Sequence, residues 1–487
     1  MTHSRPEYRI TMKFGGTSVG DAEAIARTAD IVRQARENTL HSVPGIANRQ
    51  VVVIVSAMSG VTNELIRAAH SAVEGDEEAV VQIIHGLRVR HIDTLASLAL
   101  EDSERFGLEG QLDALLNQAH SLCRATAVLG ELTPRGLDVV SGMGERLSVH
   151  IVAAVLRARG VPAEALEATE LILTDDNYGA ASPLVDKTRE RTRTRLIPLL
   201  ENGVVPVITG FIGGTEVGTP TTLGRGGSDY SATILGASLD SDEIWIWSDV
   251  NGVMTADPRV VPDAQTIEML SYAEAAEFSY FGAKVIHPKT ILPAIQREIP
   301  LRILNSFNPG HPGTHIVAHP QPNGRVVKGI TSIRQVSQIT VEGRGMIGIP
   351  GIAARVFTAV AAEQVNVLMI SQSSSEQSIC FVVPETAVPQ TLHALTRAFE
   401  FDMLRHNVEH IWSQDDVAIV AVVGERMRGT VGIAARLLGA LAENEINILS
   451  IAQGSSEYNI SLVISADQVD RAVRAVHTTF DLGQVGG

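Results

Sequence analysis

The sequence predicts an α/β fold with a largely parallel sheet, followed by two smaller α+β domains. Up to about residue 310, strand-like apolar segments alternate with helical ones, which is typical of a parallel sheet covered on both faces. Beyond it, the segments that begin at Gly351 and Ile370 recur 81 residues later, at Gly432 and Ile451. A fixed offset indicates one supersecondary unit used twice.

Composition and charge exclude several classes of protein. With 487 residues, the chain is too long for one hydrophobic core. A net charge of −16 argues against a nucleic-acid partner, because phosphate contacts need clustered Lys and Arg. Two cysteines, Cys123 and Cys380, are too few for a disulfide framework and suit a reducing, cytoplasmic compartment. We expect no membrane span and no signal peptide, since no long apolar run is present.

The first predicted strand, Tyr8–Phe14, leads into a turn that could cradle a phosphate. Lys13 is followed by Gly15 and Gly16, and the apolar spacing then predicts a helix from about Val19 to Glu37. The spacing fits neither a P-loop nor a dinucleotide-binding fingerprint. A purely structural turn therefore remains open.

A second buried-type strand, Gln50–Val55, runs into a loop of small hydroxyl residues that includes Ser56 and Thr62. Ligands of open α/β sheets bind beyond the carboxyl ends of the strands, so this loop is a candidate binding loop. The alternative is that Thr62 only caps the next helix. The following stretch, Leu65–Leu129, is mostly helical and shows little chemistry.

A further helix is predicted at Val139–Arg159, with Glu145 near its start. A glutamate in a first turn can simply complement the helix dipole. Strands are then expected at Ala165–Thr174 and Val204–Thr209, and the second of them leads into the most informative stretch of the chain.

That stretch is Thr222–Tyr230, TLGRGGSDY, in which three glycines surround Arg225 and a helix follows. Glycine lets a ligand approach the backbone, and Ser228 or Asp229 can cap the helix, whose first N–H groups attract anions. The guanidinium of Arg225 suits a carboxylate or a phosphate. The stretch predicts an anion site beside an acidic side chain, and a glycine-rich turn entering a helix is the alternative.

Another strand, Glu243–Trp247, is followed by the polar residues Ser248 and Asp249 and by a turn containing Asp257 and Arg259. The segment from Asn305 to Arg325 is dense in Pro, Gly, Asn and His, which indicates the exit from this domain and a linker.

Five motifs, in this order, resemble aspartate kinase of the amino-acid kinase superfamily, and the duplicated tail resembles that family's paired ACT domains. The motifs are KFGGTSVG at Lys13–Gly20, SAMSGVTN at Ser56–Asn63, GRGGSDY at Gly224–Tyr230, SDVNGVMTADPR at Ser248–Arg259 and FGAKVIHP at Phe281–Pro288. The resemblance implies a carbamate kinase-like parallel-sheet sandwich followed by two ferredoxin-like βαββαβ domains. The implied boundaries are 8–310 for the kinase domain, 311–330 for a linker, and 331–414 and 415–487 for the ACT domains. The two ACT domains could interleave, with the last elements of the first copy supplied after the second.

The implied reaction moves the γ-phosphoryl group of MgATP onto the β-carboxylate of L-aspartate. The catalytic residues would be Lys13 and Asp229. The substrate would contact Ser56, Thr62, Glu145, Arg225 and Ser228. The nucleotide would contact Lys13, Gly15, Gly16, Ser248, Asp249, Met254, Asp257, Arg259 and Lys284. Mg²⁺ would arrive on the nucleotide, so no dedicated metal site is expected. Met254 stands where many relatives carry an aromatic residue, which predicts altered nucleotide affinity.

The tail is predicted to bind an end-product amino acid, threonine first and lysine second, through Gln372 and Gln453. These glutamines occupy the same place in the two repeats, and an amide can pair with a hydroxyl or a carboxylate. Alternatively, they only bridge paired ACT sheets. The resemblance also implies a homodimer or larger assembly. Two other functions remain open: a kinase for another acid or a nucleotide, and an amino-acid sensor with an inactive kinase domain.

Overall fold

The computed structural model describes residues 8–282, 286–320, 325–373, 377–427, 429–453 and 458–484. The chain divides into two compact units. Unit 1 comprises Met1–Val253, Thr266–Ala275 and Val285–Pro320, and unit 2 comprises Met254–Gln265, Ala276–Lys284 and Gln321–Gly487.

The described residues of unit 1 form ten strands. They are β1 (Tyr8–Phe14), β2 (Arg49–Val55), β3 (Ala163–Leu166), β4 (Val205–Thr209), β5 (Ile212–Gly214), β6 (Pro220–Thr222), β7 (Glu243–Ser248), β8 (Met269–Ser271), β9 (Leu301–Asn305) and β10 (Thr314–Val317).

The helices up to residue 296 are α1 (Ala22–Arg36), α2 (Val61–Val73), α3 (Glu77–Ala96), α4 (Asp102–Leu129), α5 (Pro134–Ser141), α6 (Met143–Ala158), α7 (Val185–Glu201), α8 (Gly227–Leu239), α9 (Tyr272–Tyr280) and α10 (Leu292–Gln296). A short 3₁₀ turn, Gly16–Val19, lies between β1 and α1.

Eight of these strands form one sheet in the order β3-β4-β2-β1-β7-β9-β10-β8. Its neighbours are parallel except for the pair β9 and β10. Every residue of β2 is buried, as expected of a central strand covered on both faces. Phe14 and Trp247 stack across β1 and β7 with ring centroids 5.9 Å apart. The predicted α/β class with a largely parallel sheet is confirmed.

Unit 2 contains β11 (Gly329–Glu342), β12 (Met369–Gln372), β13 (Ser378–Pro384), β14 (His410–Val423), β15 (Ser450–Ala452) and β16 (Asn459–Ser465). Its helices are α11 (Ile352–Ala362), α12 (Val388–Ala398), α13 (Glu400–Leu404), α14 (Ile433–Glu443) and α15 (Val469–Thr479). The strands form one antiparallel sheet in the order β12-β13-β11-β14-β16-β15.

The two repeats share the long strands β11 and β14. The second half of β11 pairs with β13 and with the first half of β14, which completes the first copy. The first half of β11 pairs with the second half of β14, so the last strand of the second copy precedes the first copy in the chain. The predicted boundary at Gln414 lies inside β14.

Two segments that the sequence placed in the first domain, Met254–Gln265 and Ala276–Lys284, belong to unit 2. Residues 254–265 contribute Ala256 and Val261 to a hydrophobic cluster with Leu437 and Val473. Thr255 O accepts a hydrogen bond of 2.8 Å from the backbone N of Ile330. These long-range contacts leave no local sequence pattern.

Two local predictions differ from the structure. The expected strand at Ala165–Thr174 is only the short β3, followed by a 3₁₀ turn at Ala168–Glu170. The first part of the expected linker contains β10, which pairs with β9 and β8.

Among the described residues, one helical stretch, Pro134–Ala158, is long and apolar enough to cross a membrane. However, 89% of its apolar window is buried inside the structure, and core helices pass the same test.

Candidate active site

A cavity of about 680 Å³ opens in unit 1 where β1 and β2 end and where α8 begins. The carboxyl ends of neighbouring parallel strands meet at one edge of a sheet, so the two loops predicted to bind ligands come together there. Nine predicted site residues line it: Lys13, Gly16, Ser56, Thr62, Glu145, Arg225, Ser228, Asp229 and Asp249. Four of the five motifs, together with the helix that carries Glu145, thus converge on one cavity.

Lys13 and Asp229 form an ion pair in this cavity. Lys13 Nζ lies 2.6 Å from Asp229 Oδ1, and the two side chains are 12% and 15% exposed. Lys13 sits at the end of β1 and Asp229 in the first turn of α8. The ammonium group is therefore held at the cavity wall by a carboxylate and by two rigid elements.

Glu145 is almost fully buried, at 3% exposed. Burial raises its pKa to about 8, although backbone hydrogen bonding at Ala57 and the charge of Lys13 act in the opposite direction. Within the described part of the chain, its Oε2 has no hydrogen-bond partner. A buried acceptor without a partner is costly, so this oxygen is available to a donor on a ligand.

The helix that carries Glu145 approaches the Ser56–Asn63 loop closely. A Cβ at Gly144 would lie 2.6 Å from Ala57 Cβ, so a side chain at that position would push the helix away from the loop. Glycine at 144 therefore sets the distance between Glu145 and the hydroxyl residues of the loop.

The start of α8 supplies the other wall. Gly226 has φ 72°, a left-handed conformation that glycine adopts without strain, and α8 begins at the next residue. Gly227, Ser228 and Asp229 then line the cavity. The first N–H groups of a helix lack partners within the helix, which favours an anion at this position. Arg225, just before the turn, is exposed and also borders the cavity.

Asp138 is a cavity residue that the sequence analysis did not identify. Its carboxylate is 2% exposed and accepts hydrogen bonds from Thr222 N at 2.8 Å, Thr222 Oγ1 at 2.7 Å and Gly179 N at 2.9 Å. It thereby fixes the two loops that form one side of the cavity. No local motif distinguishes it from an ordinary helical aspartate.

Predicted nucleotide residues fall into two groups. Gly15 and Ser248 do not line the cavity but belong to its frame: Gly15 N donates to Trp247 O at 3.1 Å, and Ser248 O accepts from Ser306 N at 2.9 Å. Met254, Asp257 and Arg259 lie in unit 2.

Asp257 and Arg259 pair with each other. Arg259 Nη2 lies 2.7 Å from Asp257 Oδ2, and the arginine side chain is 86% exposed. The guanidinium holds the pKa of Asp257 below its ordinary value. Lys284 lies outside the described residues. Among those described, no group of three His, Cys, Asp or Glu is placed to hold a metal ion.

In unit 2, Gln372 borders a cavity of about 300 Å³ formed by Met346, residues 348–353 and Ile379. Gln453, at the same position of the second repeat, is exposed and does not line that cavity.

Comparison with known proteins places the chain in a family. It matches the amino acid kinase family over residues 9–305 and the ACT domain over residues 339–399 and 420–480. It is 37% identical over 97% of its length to the chloroplastic bifunctional aspartokinase/homoserine dehydrogenase 1 of Arabidopsis thaliana, of which it covers 51%. It is 32% identical over 97% of its length to the chloroplastic aspartokinase 2 of the same plant, and covers 84% of that protein.

Two crystal structures of E. coli aspartokinase III resemble the chain over nearly its whole length. The complex with aspartate and ADP has a TM-score of 0.79 at 29% identity, covering 96% of this chain and 99% of that one. The complex with lysine and aspartate has a TM-score of 0.76 at 28% identity, covering 98% of this chain and 100% of that one. The chain spans about half the length of the bifunctional curated relatives it matches. It belongs to the amino acid kinase family, among the aspartokinases with C-terminal ACT domains.

Proposed function

We propose that the chain transfers the γ-phosphoryl group of MgATP to the β-carboxylate of L-aspartate, giving 4-phospho-L-aspartate. The observation that carries the proposal is the meeting of Lys13, Arg225, Glu145 and Asp229 in one cavity at the N-terminus of α8. Relatives support it: the family match covers this unit, and a similar structure holds aspartate and ADP.

The chemistry requires charge neutralisation more than proton transfer. A free aspartate side chain has a pKa of about 3.9, so the nucleophile is already ionised at neutral pH and needs no general base. Two anions must nevertheless meet. Lys13 and the N–H groups at the start of α8 supply positive charge at the phosphoryl group, and positioning carries the rest.

Substrate selection follows from the remaining groups. We assign Arg225 to the α-carboxylate of aspartate, because its planar fork fits a carboxylate, and Glu145 to the α-ammonium group, because its Oε2 lacks a partner. Ser56, Thr62 and Ser228 complete the polar wall. Asp229 holds Lys13 and lies near the same ammonium group.

The nucleotide residues are assigned on two grounds. Gly15, Gly16, Ser248 and Asp249 border or frame the cavity, whereas Met254, Asp257, Arg259 and Lys284 are assigned by resemblance alone. Mg²⁺ would reach the site on the phosphates of ATP, where it neutralises charge and keeps most of its water ligands.

Trapping the acyl phosphate with hydroxylamine tests the activity. Aspartate, ATP and Mg²⁺ should give aspartyl hydroxamate, whereas glutamate and N-acetylglutamate should give no hydroxamate. Nucleoside monophosphates form no acyl phosphate, so they are tested by release of ADP, which should stay at the background rate. Product from one of those acceptors would favour another kinase of the family. Binding of amino acids without turnover of any acceptor would favour a sensor with an inactive kinase domain.

We further propose that unit 2 binds an amino-acid effector that inhibits the kinase, with threonine preferred and lysine second. The cavity beside Gln372 is large enough for an amino acid, and the amide can donate and accept hydrogen bonds. A related structure contains lysine. Threonine and lysine should be titrated separately into the assay with wild type and Gln372→Ala. The feedback proposal fails if neither amino acid changes the rate at millimolar concentration.

A homodimer or larger assembly is proposed through the ACT sheet. Its edge strands β12 and β15 contact each other where Ser371 Oγ donates to Ile451 O at 3.2 Å, and they expose the side chains of Ile370 and Ile451, which are 49% and 43% accessible and could pack against another chain. Light scattering of wild type and Ile370→Asp tests this.

A cytoplasmic location remains a proposal, and the plant relatives are chloroplastic by name.

A further inference from the structure

Arg90 lies on helix α3, outside the lining of the active-site cavity. It links two of the loops that form the cavity. Its Nη1 donates to Ser59 O at 2.7 Å, and its Nη2 donates to Gly20 O at 3.0 Å. Ser59 belongs to the Ser56–Asn63 loop. Gly20 ends the 3₁₀ turn that follows Lys13, Gly15 and Gly16.

These two loops already touch at their inner side. Ser59 N donates to Gly16 O at 3.1 Å, and a Cβ at Gly16 would lie 3.0 Å from Ala57 O. Both contacts lie at the Gly16 end of the turn. The guanidinium of Arg90 adds a second attachment, four residues farther along the turn, and so fixes the angle between them.

Helix α3 provides a rigid base for this contact. His91, the next residue, is fully buried, and its Nδ1 lies 2.7 Å from Leu87 O. Arg90 is only partly buried, and within the described part of the chain no carboxylate forms an ion pair with it. Its donors are used on two backbone carbonyls that belong to different loops.

We propose that Arg90 is a positioning residue for phosphoryl transfer, an inference that rests on the function proposed above. The turn after Lys13 holds the transferring phosphate and the Ser56–Asn63 loop holds the acceptor, so the link through Arg90 sets the distance between the reacting groups. An arginine is required because its planar fork presents two donors at a fixed separation, whereas a lysine presents one point of positive charge. Misplacement by about 1 Å can cost a hundredfold in rate.

Arg88 offers a matched control on the same helix. It forms an exposed pair with Asp113, with Nε–Oδ1 and Nη2–Oδ2 distances of 2.7 and 2.8 Å, so its guanidinium is used on a carboxylate of α4 and not on the backbone of a loop. Removal of either arginine deletes the same charge from α3. Only Arg90 should affect the reaction.

The test compares four proteins: wild type, Arg88→Ala, Arg90→Ala and Arg90→Lys. For each, hydroxamate formation gives kcat and the KM values for aspartate and ATP, and thermal unfolding gives the melting temperature. We expect kcat to fall about tenfold to a hundredfold in both Arg90 variants, with each KM within about threefold of wild type. Arg88→Ala should match wild type. If Arg90→Ala does not fold, the comparison is made with Arg90→Lys alone.

The inference is overturned if kcat per folded protein in Arg90→Lys stays within twofold of Arg88→Ala, even if the melting temperature falls, because the role is then only structural. It is also overturned if the loss lies entirely in KM. If the wild-type protein phosphorylates no aspartate, the proposed function itself is wrong. That result is distinct from the failure of the Arg90 inference, in which wild type is active and the Arg90 variants match the control.

Discussion

Lys13 Nζ and Asp229 Oδ1 lie 2.6 Å apart, although 216 residues separate them in the sequence. The pair joins the end of a central strand to the first turn of α8. The carboxylate balances the ammonium charge. In the proposed reaction, an incoming phosphate would share Lys13 with Asp229, and the strength of that competition would set how tightly the nucleotide is held.

Replacing Lys13 by alanine should reduce turnover of aspartate about a thousandfold. A charge about 4 Å from a phosphoryl oxygen is worth about 4 kcal/mol at an effective dielectric constant near 20, and each 1.4 kcal/mol is a factor of ten in rate. The measurement is kcat/KM in the hydroxamate assay. Lys187→Ala is the matched control, because Lys187 pairs with Glu216 at the surface. Undiminished turnover by folded Lys13→Ala would contradict the mechanism.

Binding of aspartate should release about one proton at pH 7. Burial raises the pKa of Glu145 to about 8, so the carboxyl is mostly protonated in the empty cavity. An ammonium group next to Oε2 would favour the ionised form and lower that pKa. Calorimetric titration in two buffers with different ionisation enthalpies measures the proton directly. Glu145→Gln should bind without proton release, and buffer-independent heat for wild type would refute the assignment.

The same pKa shift predicts how stability changes with pH. Because the folded-state pKa of Glu145 lies above its ordinary value of 4.5, the native state binds more protons than the unfolded state between about pH 4.5 and 8. Stability contributed by the protonated carboxyl is present at low pH and is lost as pH rises through this window. Glu145→Gln should therefore melt at a higher temperature than wild type at pH 8.5, with a smaller difference at pH 5.5. An equal difference at both pH values would argue against a buried, protonated Glu145.

The sequence was informative where a motif follows a strand. Lys13 and Ser56 could be expected at one site because β1 and β2 are adjacent and parallel. Asp138 could not be found this way, since its partners Gly179 and Thr222 are 41 and 84 residues away and have no shared spacing with it. The placement of residues 254–265 in unit 2 depends on contacts such as Thr255 with His477, 222 residues apart. Local patterns predict elements and their edges, whereas these contacts arise only on packing.

Asp138→Ala should lower both stability and substrate affinity. Removing the carboxylate leaves two buried donors on Thr222, and a third on the exposed Gly179, without their acceptor, which costs about 2–4 kcal/mol. The loops that carry those donors line the cavity, so the KM for aspartate should rise. Urea unfolding and the hydroxamate assay measure the two effects. Asp113→Ala, which removes an exposed carboxylate paired with Arg88, should change neither, and equal behaviour of the two variants would contradict the role assigned to Asp138.

His41 should make unit 1 sensitive to acid. Its ring packs edge-on against Trp245 with centroids 5.5 Å apart, and burial together with the charge of Arg302 lowers its pKa to about 4. Because the folded-state pKa lies below the ordinary value of 6.5, the unfolded state binds more protons between pH 6.5 and 4, so stability is lost as pH falls through that window. The loss should be about 1–2 kcal/mol, reduced by solvent screening because the ring is partly exposed. His41→Gln should show a shallower decline in unfolding free energy from pH 7 to pH 5, whereas His85→Gln, at an exposed site on α3, should follow wild type. A decline in His41→Gln as steep as in wild type would assign the acid sensitivity to other groups.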